Sequence, residues 1–259
     1  MISVMQGVLG LVSGTLVGFS LGLVGGGGSV LAVPLMVYLV GVPDPHVAIG
    51  TSAIAVATNA AVNLSNHARG GTVRWSCALT FAAAGIIGAF IGSIFGKMLD
   101  GQKLLALFAL VMLVIAALML KTRARVGLPD VQMNWTNMPA IVGLGFATGT
   151  LSGFFGIGGG FLIVPALMLA TGMSILNAVS SSLVAVTAFG LTTAASYAWS
   201  GLISWELAGI FIAGGIAGGW IGTRSARHLA ARRGALNIVF AAVIIAVALY
   251  MLVRSLTPF

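Results

Sequence analysis

Two short stretches carry the chemistry that stands out in this chain. Residues 22–36 read GLVGGGGSVLAVPLM and residues 153–168 read GFFGIGGGFLIVPALM. A glycine run that interrupts an apolar helix leaves peptide groups without intrahelical partners. Inside a membrane such backbone persists only where protein buries it or where it lines a cavity. The helix that follows, starting near Ser29 in one stretch and near Gly160 in the other, presents free N–H groups and partial positive charge. That is anion-binding chemistry. No Gly-Lys-Ser/Thr follows either run, so neither is a nucleotide phosphate loop. Close helix packing is the other use such glycines serve, and for a single run it explains them equally well.

A second set of polar residues lies in the apolar segment after each run. Ser52, Asn59, Asn63 and Asn66 recur at spacings of seven, four and three, which puts them on one helical face, with Thr51 and Thr58 alongside. The later segment supplies Ser180, Ser181, Ser182, Thr187, Thr192, Thr193 and Ser196. Amides and hydroxyls can donate to an oxyanion without adding charge, or they can join helices by interhelical hydrogen bonds. The candidate substrate-binding set takes Gly26, Gly27, Gly28 and Ser29 from the first break and Gly158, Gly159 and Gly160 from the second. Thr51, Ser52, Asn59, Asn63, Ser181 and Ser182 complete it from the polar segments. His67 and Arg69, in NHARGG, are placed to attract an anion at a cavity mouth or to anchor the helix end at the membrane surface.

The acids narrow the chemistry further. They are Asp44, Asp100, Asp130 and Glu206, all in or beside expected loops. No carboxylate is expected mid-membrane to bind a metal, hold sodium by charge or relay a proton. A negative substrate suits this inventory, and no cofactor or metal is expected. Ser152, in GTLSG, has no expected histidine partner at its depth, so an intramembrane enzyme is not the expectation.

The elements that must position these groups are membrane helices. The chain has 259 residues, 59% hydrophobic and only 6% charged, with a mean hydropathy of +1.13. A water-facing surface needs about 25% charged residues. The bilayer is therefore the partner, and the net charge of +8 reads as membrane topology rather than nucleic-acid binding. The lone Cys77 excludes an intramolecular disulfide and reads as a packing residue. The first apolar segment has no preceding Lys or Arg and is expected to be a retained helix.

The chain also repeats itself. Gly25, Gly27, Gly28, Leu31, Val33 and Pro34 match Gly156, Gly158, Gly159, Leu162, Val164 and Pro165 at an offset of 131. At an offset of 130, Ser52, Ala55 and Val56 meet Ser182, Ala185 and Val186, and Gly85, Gly88 and Gly92 meet Gly215, Gly218 and Gly222. Two transmembrane repeats are expected, residues 1–121 and 138–259, joined by a polar linker over 122–137. Each holds five apolar segments. They are expected at 3–24, 28–41, 47–65, 76–98 and 103–121, then at 138–155, 159–172, 175–198, 205–226 and 235–254. Segments 28–41 and 159–172 are short; either they cross with their neighbours or they re-enter without crossing. Gly88 and Gly92, with Gly214, Gly218 and Gly222, give small-residue faces for internal packing or for a homodimer.

The twelve Lys and Arg residues set the expected orientation. Parallel repeats would split them six against six. Inverted repeats put nine on one side and leave only Lys97, Lys103 and Arg254 opposite. The positive-inside rule favours inversion, with loops near 67–74, 121–137 and 224–233 in the cytoplasm and both termini outside. The expected fold class is thus all-α integral membrane, with two inverted repeats whose Gly-interrupted half-helices meet near the midplane.

The G-x-G-G-G element ending in V-P, present twice, resembles the sulfite exporter TauE/SafE family of membrane permeases. So do GTSAIAVATNAAVNLSNHARGGTVRW and its echo SSSLVAVTAFGLTTAASYAWSGLISW. The resemblance covers nearly the whole chain. It implies export or uptake of sulfur-containing anions such as sulfite, sulfoacetate and other organosulfonates across a bacterial inner membrane. It carries over to Gly27, Gly28, Pro34, Gly158, Gly159 and Pro165. Ser29 stands where the second copy has Gly160, and Gly26 where it has Ile157, so unequal half-sites are expected. An anion channel and a carrier of small neutral solutes are the alternatives to an anion carrier.

Overall fold

The computed structural model describes residues 2–121, 134–156, 160–229 and 233–256, all built on helices. The first half contains α1 (Val4–Val24), a 3-10 stretch (Gly25–Leu31), one α-helical turn, α2 (Ala32–Pro34), and a π-helical turn (Leu35–Leu39). It continues with α3 (Pro45–Arg69), α4 (Trp75–Met98) and α5 (Gly101–Lys121). The second half contains α6 (Met138–Phe155), α7 (Gly160–Thr171), α8 (Ile175–Trp199), α9 (Trp205–Leu229) and α10 (Arg233–Leu256). Six of these helices contain stretches long and apolar enough to cross a membrane: α1, α3, α4, α6, α8 and α9. Large apolar side chains on α4, such as Ile87, Phe90 and Phe95, are exposed, as a lipid-facing surface requires.

The helix boundaries follow local chemistry. Asp44 caps α3, its carboxylate accepting from His46 N–H at 2.8 Å, and Pro45 occupies the first helical turn, where no N–H is needed. Ser174 caps α8 in the same way. The α3 and α8 ends are turned by Gly71 and Gly201, both at positive φ.

One expectation needs correction. The first break was expected to open an α-helix near Ser29. Instead Ser29 lies inside the 3-10 stretch, followed by a single α-turn and a π-turn in which Val40 N–H reaches Leu35 C=O. Four consecutive glycines give the poorest helix propensity available apart from proline, and the tighter coil results. The second break behaves as expected: α6 ends on Gly156 at φ 68°, and α7 runs from Gly160 through Pro165.

Glycine faces join the two halves. On α1, Gly14, Gly18 and Gly22 lie against the backbone at Phe211, Gly215 and Gly219 of α9; a Cβ at any of them would strike that backbone. On α6, Gly145, Gly149 and Gly153 meet Phe81, Gly85 and Ala89 of α4 in the same manner. These are the same contacts shifted by 131 and 130 residues. The small-residue faces that left internal packing and a homodimer open are used internally.

The same contacts fix directions. Numbers rise together along α1 and α9, and Gly50, Asn59 and Asn63 of α3 meet Leu202, Gly215 and Gly219, so α1, α3 and α9 are parallel. Residues 25–44 must then carry the chain back along the bundle. By the matching contacts α6, α4 and α8 are parallel, and residues 160–174 return likewise. Between the halves, α3 and α8 are antiparallel: Gly50 lies by Tyr197, Gly190 by Ala53 and Ala57, and His67 by Ser180. Equivalent helices therefore point in opposite directions.

Candidate functional site

The polar segments predicted from sequence are α3 and α8, which pack against each other at the centre of the bundle. Many of their hydroxyls are buried, while Thr58, Thr187 and Thr192 are half-buried and Ser65 is exposed. Thr51, Ser52, Ser181 and Ser182 are fully buried, as is Ser29 on the first break. Gly160, at the start of α7, is buried too. Gly26 and Gly27 lie in the 3-10 stretch, and Gly158 and Gly159 fall outside the described residues.

The structure shows what most of these hydroxyls already do. Thr51 Oγ1 accepts from Ser204 N–H at 3.0 Å, and Ser181 Oγ accepts from Arg74 N–H at 2.9 Å. Ser204 and Arg74 directly precede α9 and α4, so each half caps a helix of the other. Each hydroxyl keeps its own hydrogen to donate elsewhere. Ser52 and Ser182 donate back to Ile49 and Val179 carbonyls, at 3.0 and 2.8 Å. Spacing alone could not reveal this interhelical capping.

The asparagines differ. Asn63 is nearly buried and donates from Nδ2 to the Asn59 carbonyl at 3.0 Å. Asn59 is wholly buried, and neither its Nδ2 nor its Oδ1 has a partner among the described residues. Its amide rests over Gly215 of α9, where a Cβ would collide with it. Asn66, which shares the sequence spacing, is exposed instead. The breaks reach the same helices: Gly28 packs on the Ser20 and Leu21 backbone of α1, and Gly156 packs on Ile49 of α3.

The two ends of the α3/α8 pair are not alike. At one end His67, half-buried, places Nδ1 at 3.1 Å from Ser180 Oγ, and Thr72 Oγ1 donates to the same Ser180 oxygen at 2.8 Å. Arg69, two residues further on, is exposed. At the other end Tyr197 occupies the position equivalent to His67, and Gly50 the position equivalent to Ser180. Tyr197 is fully buried, its hydroxyl has no partner among the described residues, and Lys97 Nζ sits 5.7 Å from its ring centroid. Sequence reading missed Tyr197; the repeat register, which pairs it with His67, was the signal available.

The described carboxylates stay at helix ends. Asp44 caps α3, and Asp100 accepts from Gln102 and Lys103 N–H at the start of α5. Glu206 lies in the first turn of α9. The buried chemistry on α3 and α8 is therefore neutral hydrogen bonding.

Comparisons with known proteins bear on the family. The description "Sulfite exporter TauE/SafE" matches residues 10–251. A "Probable membrane transporter protein" of Xylella fastidiosa strain Temecula1 is 52% identical over 94% of both chains. The "Probable membrane transporter protein YunE" of Bacillus subtilis strain 168 is 31% identical over 86% of this chain and 88% of its own. A relative from Methanocaldococcus jannaschii, also a "Probable membrane transporter protein", is 29% identical over 60% of each. No solved structure matches. With the matched pattern spanning the helices from α1 to α10, this chain belongs to the sulfite exporter TauE/SafE family of membrane transporters.

Proposed function

We propose that this chain is a secondary carrier of small sulfur-containing anions, such as sulfite, sulfoacetate or other sulfonates, and that it exports them across a bacterial inner membrane. The observation that carries this reading is the buried, uncharged polar inventory of α3 and α8, from Thr51 to Asn63 and at Ser181 and Ser182, with Asp44, Asp100 and Glu206 kept at helix ends. Neutral donors in a site without a carboxylate favour an anion and disfavour a cation. The N-terminus of α7 at Gly160 adds positive potential, up to about 2 kcal/mol in a partly buried setting. Hydrogen bonds to a charged ligand add about 1.5–3 kcal/mol each. Together these can hold a dehydrated anion without a buried arginine.

In this reading the repeats 1–121 and 138–259 are inverted in the membrane, joined by the cytoplasmic linker 122–137. The opposite directions of α3 and α8 support that arrangement. Substrate sits between the glycine breaks, and His67 and Arg69 draw it toward the cytoplasmic mouth. No nucleotide motif is present in the sequence, so an ion gradient or the substrate's own gradient supplies the energy.

The test is counter-transport by the purified protein in liposomes. Labelled sulfoacetate or sulfite uptake should saturate and should accelerate when unlabelled anion is trapped inside. Linear flux without acceleration would mark a channel. Transport of neutral solutes but no anion would overturn the reading.

A further inference from the structure

The repeat register shows one notch built twice and filled differently. Gly85 and Gly215 are equivalent residues, and each leaves room for one side chain from the adjacent polar helix. At Gly85 that side chain is Phe189, which also stacks on Phe81 with centroids 6.2 Å apart. At Gly215 it is Asn59. A phenyl ring needs no partner there. The shorter Asn59 amide, fully buried, has an unpaired donor and an unpaired acceptor among the described residues. Buried polar groups in folded proteins are paired, because leaving them unpaired is costly.

The unpaired atoms specify the guest. A cation would satisfy Oδ1 and leave Nδ2 unpaired. A fully deprotonated oxyanion would satisfy Nδ2 and oppose its lone pairs to Oδ1. A guest that both accepts and donates satisfies both atoms at once, and among anions that is one that retains an O–H. We propose that the Asn59–Gly215 notch is a specificity site for monoprotonated oxyanions, Nδ2 donating to an oxygen of the ligand and Oδ1 accepting the ligand's O–H. This rests on the anion-carrier reading and narrows it: among the anions proposed above, the notch favours hydrogen sulfite, which keeps a proton, over sulfonate groups, which do not. A site that hydrogen-bonds a ligand hydroxyl discriminates strongly against the analogue that lacks it, because its own buried group is then left unpaired.

Methylphosphonate and methanesulfonate test this as a matched pair. At mildly acidic pH both are monoanions of similar shape, and only methylphosphonate keeps an O–H. Binding to the purified full chain is titrated by ligand-induced thermal stabilisation. Wild type should bind methylphosphonate at least about tenfold more tightly. In Asn59→Leu the preference should collapse to near parity. Asn59→Phe copies the filled notch of the second half, so it should stay folded and lose binding of methylphosphonate. Equal binding of the two anions by wild type, or a preference that survives in Asn59→Leu, overturns the notch and leaves the carrier reading standing. If Asn59→Leu raises stability without changing the anion preference, the notch holds water only and the proposal fails. If no anion stabilises the protein or moves in liposomes, both readings fall.

Discussion

The two halves of this protein share their packing and differ in their polarity. Gly18 of α1 meets Gly215 of α9, and Gly149 of α6 meets Gly85 of α4, by the same contact. Thr51 and Ser181 cap helices across the halves by the same hydrogen bond. Yet Asn59 stands where the second half has Phe189, Asn63 where it has Thr193, and His67 where it has Tyr197. Backbone positions that hold helices together are duplicated, and side chains that face the interior are free to diverge. Symmetric packing with asymmetric lining gives a bundle in which α3 carries buried amides at Asn59 and Asn63 where α8 carries Phe189 and Thr193.

Breaking the shared packing should cost most. Gly18→Leu and Gly149→Leu each force a side chain into a facing helix backbone, so each should destabilise by about 3 kcal/mol or more. Thermal unfolding in detergent should show similar losses for the two. A large loss in one alone would break the claimed equivalence. Next come the notches. Phe189→Asn removes a buried ring and strands an amide, which should cost about 3–5 kcal/mol. Asn59→Leu should change stability by less than about 1 kcal/mol, because removing an unpaired buried amide offsets the lost shape. Equal costs at both positions would mean that Asn59 is as well satisfied as Phe189.

The cross-half caps should matter less. Thr51→Val and Ser181→Ala each strand one backbone N–H, at about 1–2 kcal/mol, read by the same unfolding assay. Smallest is the exposed Arg69. Arg69→Gln should slow anion transport a few-fold at low salt through lost steering, and the difference should vanish at high ionic strength. A loss that persists in high salt would place Arg69 in contact with substrate.

Much of the fold was legible because membrane helices write their lengths into apolar runs. The expected 138–155, 159–172 and 175–198 lie within a residue or so of α6, α7 and α8. The repeat was legible because glycine contacts cannot drift: a Cβ at Gly88 or Gly218 strikes a neighbouring helix. Which helix each glycine meets was not, since α1 and α4 each pair with the opposite half, and no spacing encodes that. The first break escaped because four glycines do not specify a helix type. At the candidate site, the one-face spacing correctly grouped Asn59 with Asn63. It could not separate them from Thr51 and Ser52, whose hydroxyls are held by backbone groups that only the fold brings close. Gly28, expected in the substrate-binding set, packs directly on the α1 backbone, so Gly28→Val should disturb packing as well as transport.

The account turns on the opposite orientation of the two halves, and accessibility at one pair of equivalent residues tests it most directly. Gly70 follows α3 and Ser200 follows α8, at the same position in each half, and both are exposed. Single cysteines placed there, in a Cys77→Ser background, can be labelled with a membrane-impermeant maleimide in intact cells and in opened membranes. The inverted arrangement predicts that Ser200→Cys reacts from outside and that Gly70→Cys reacts only once the cytoplasmic face is exposed. Reaction of both from the same face would contradict it.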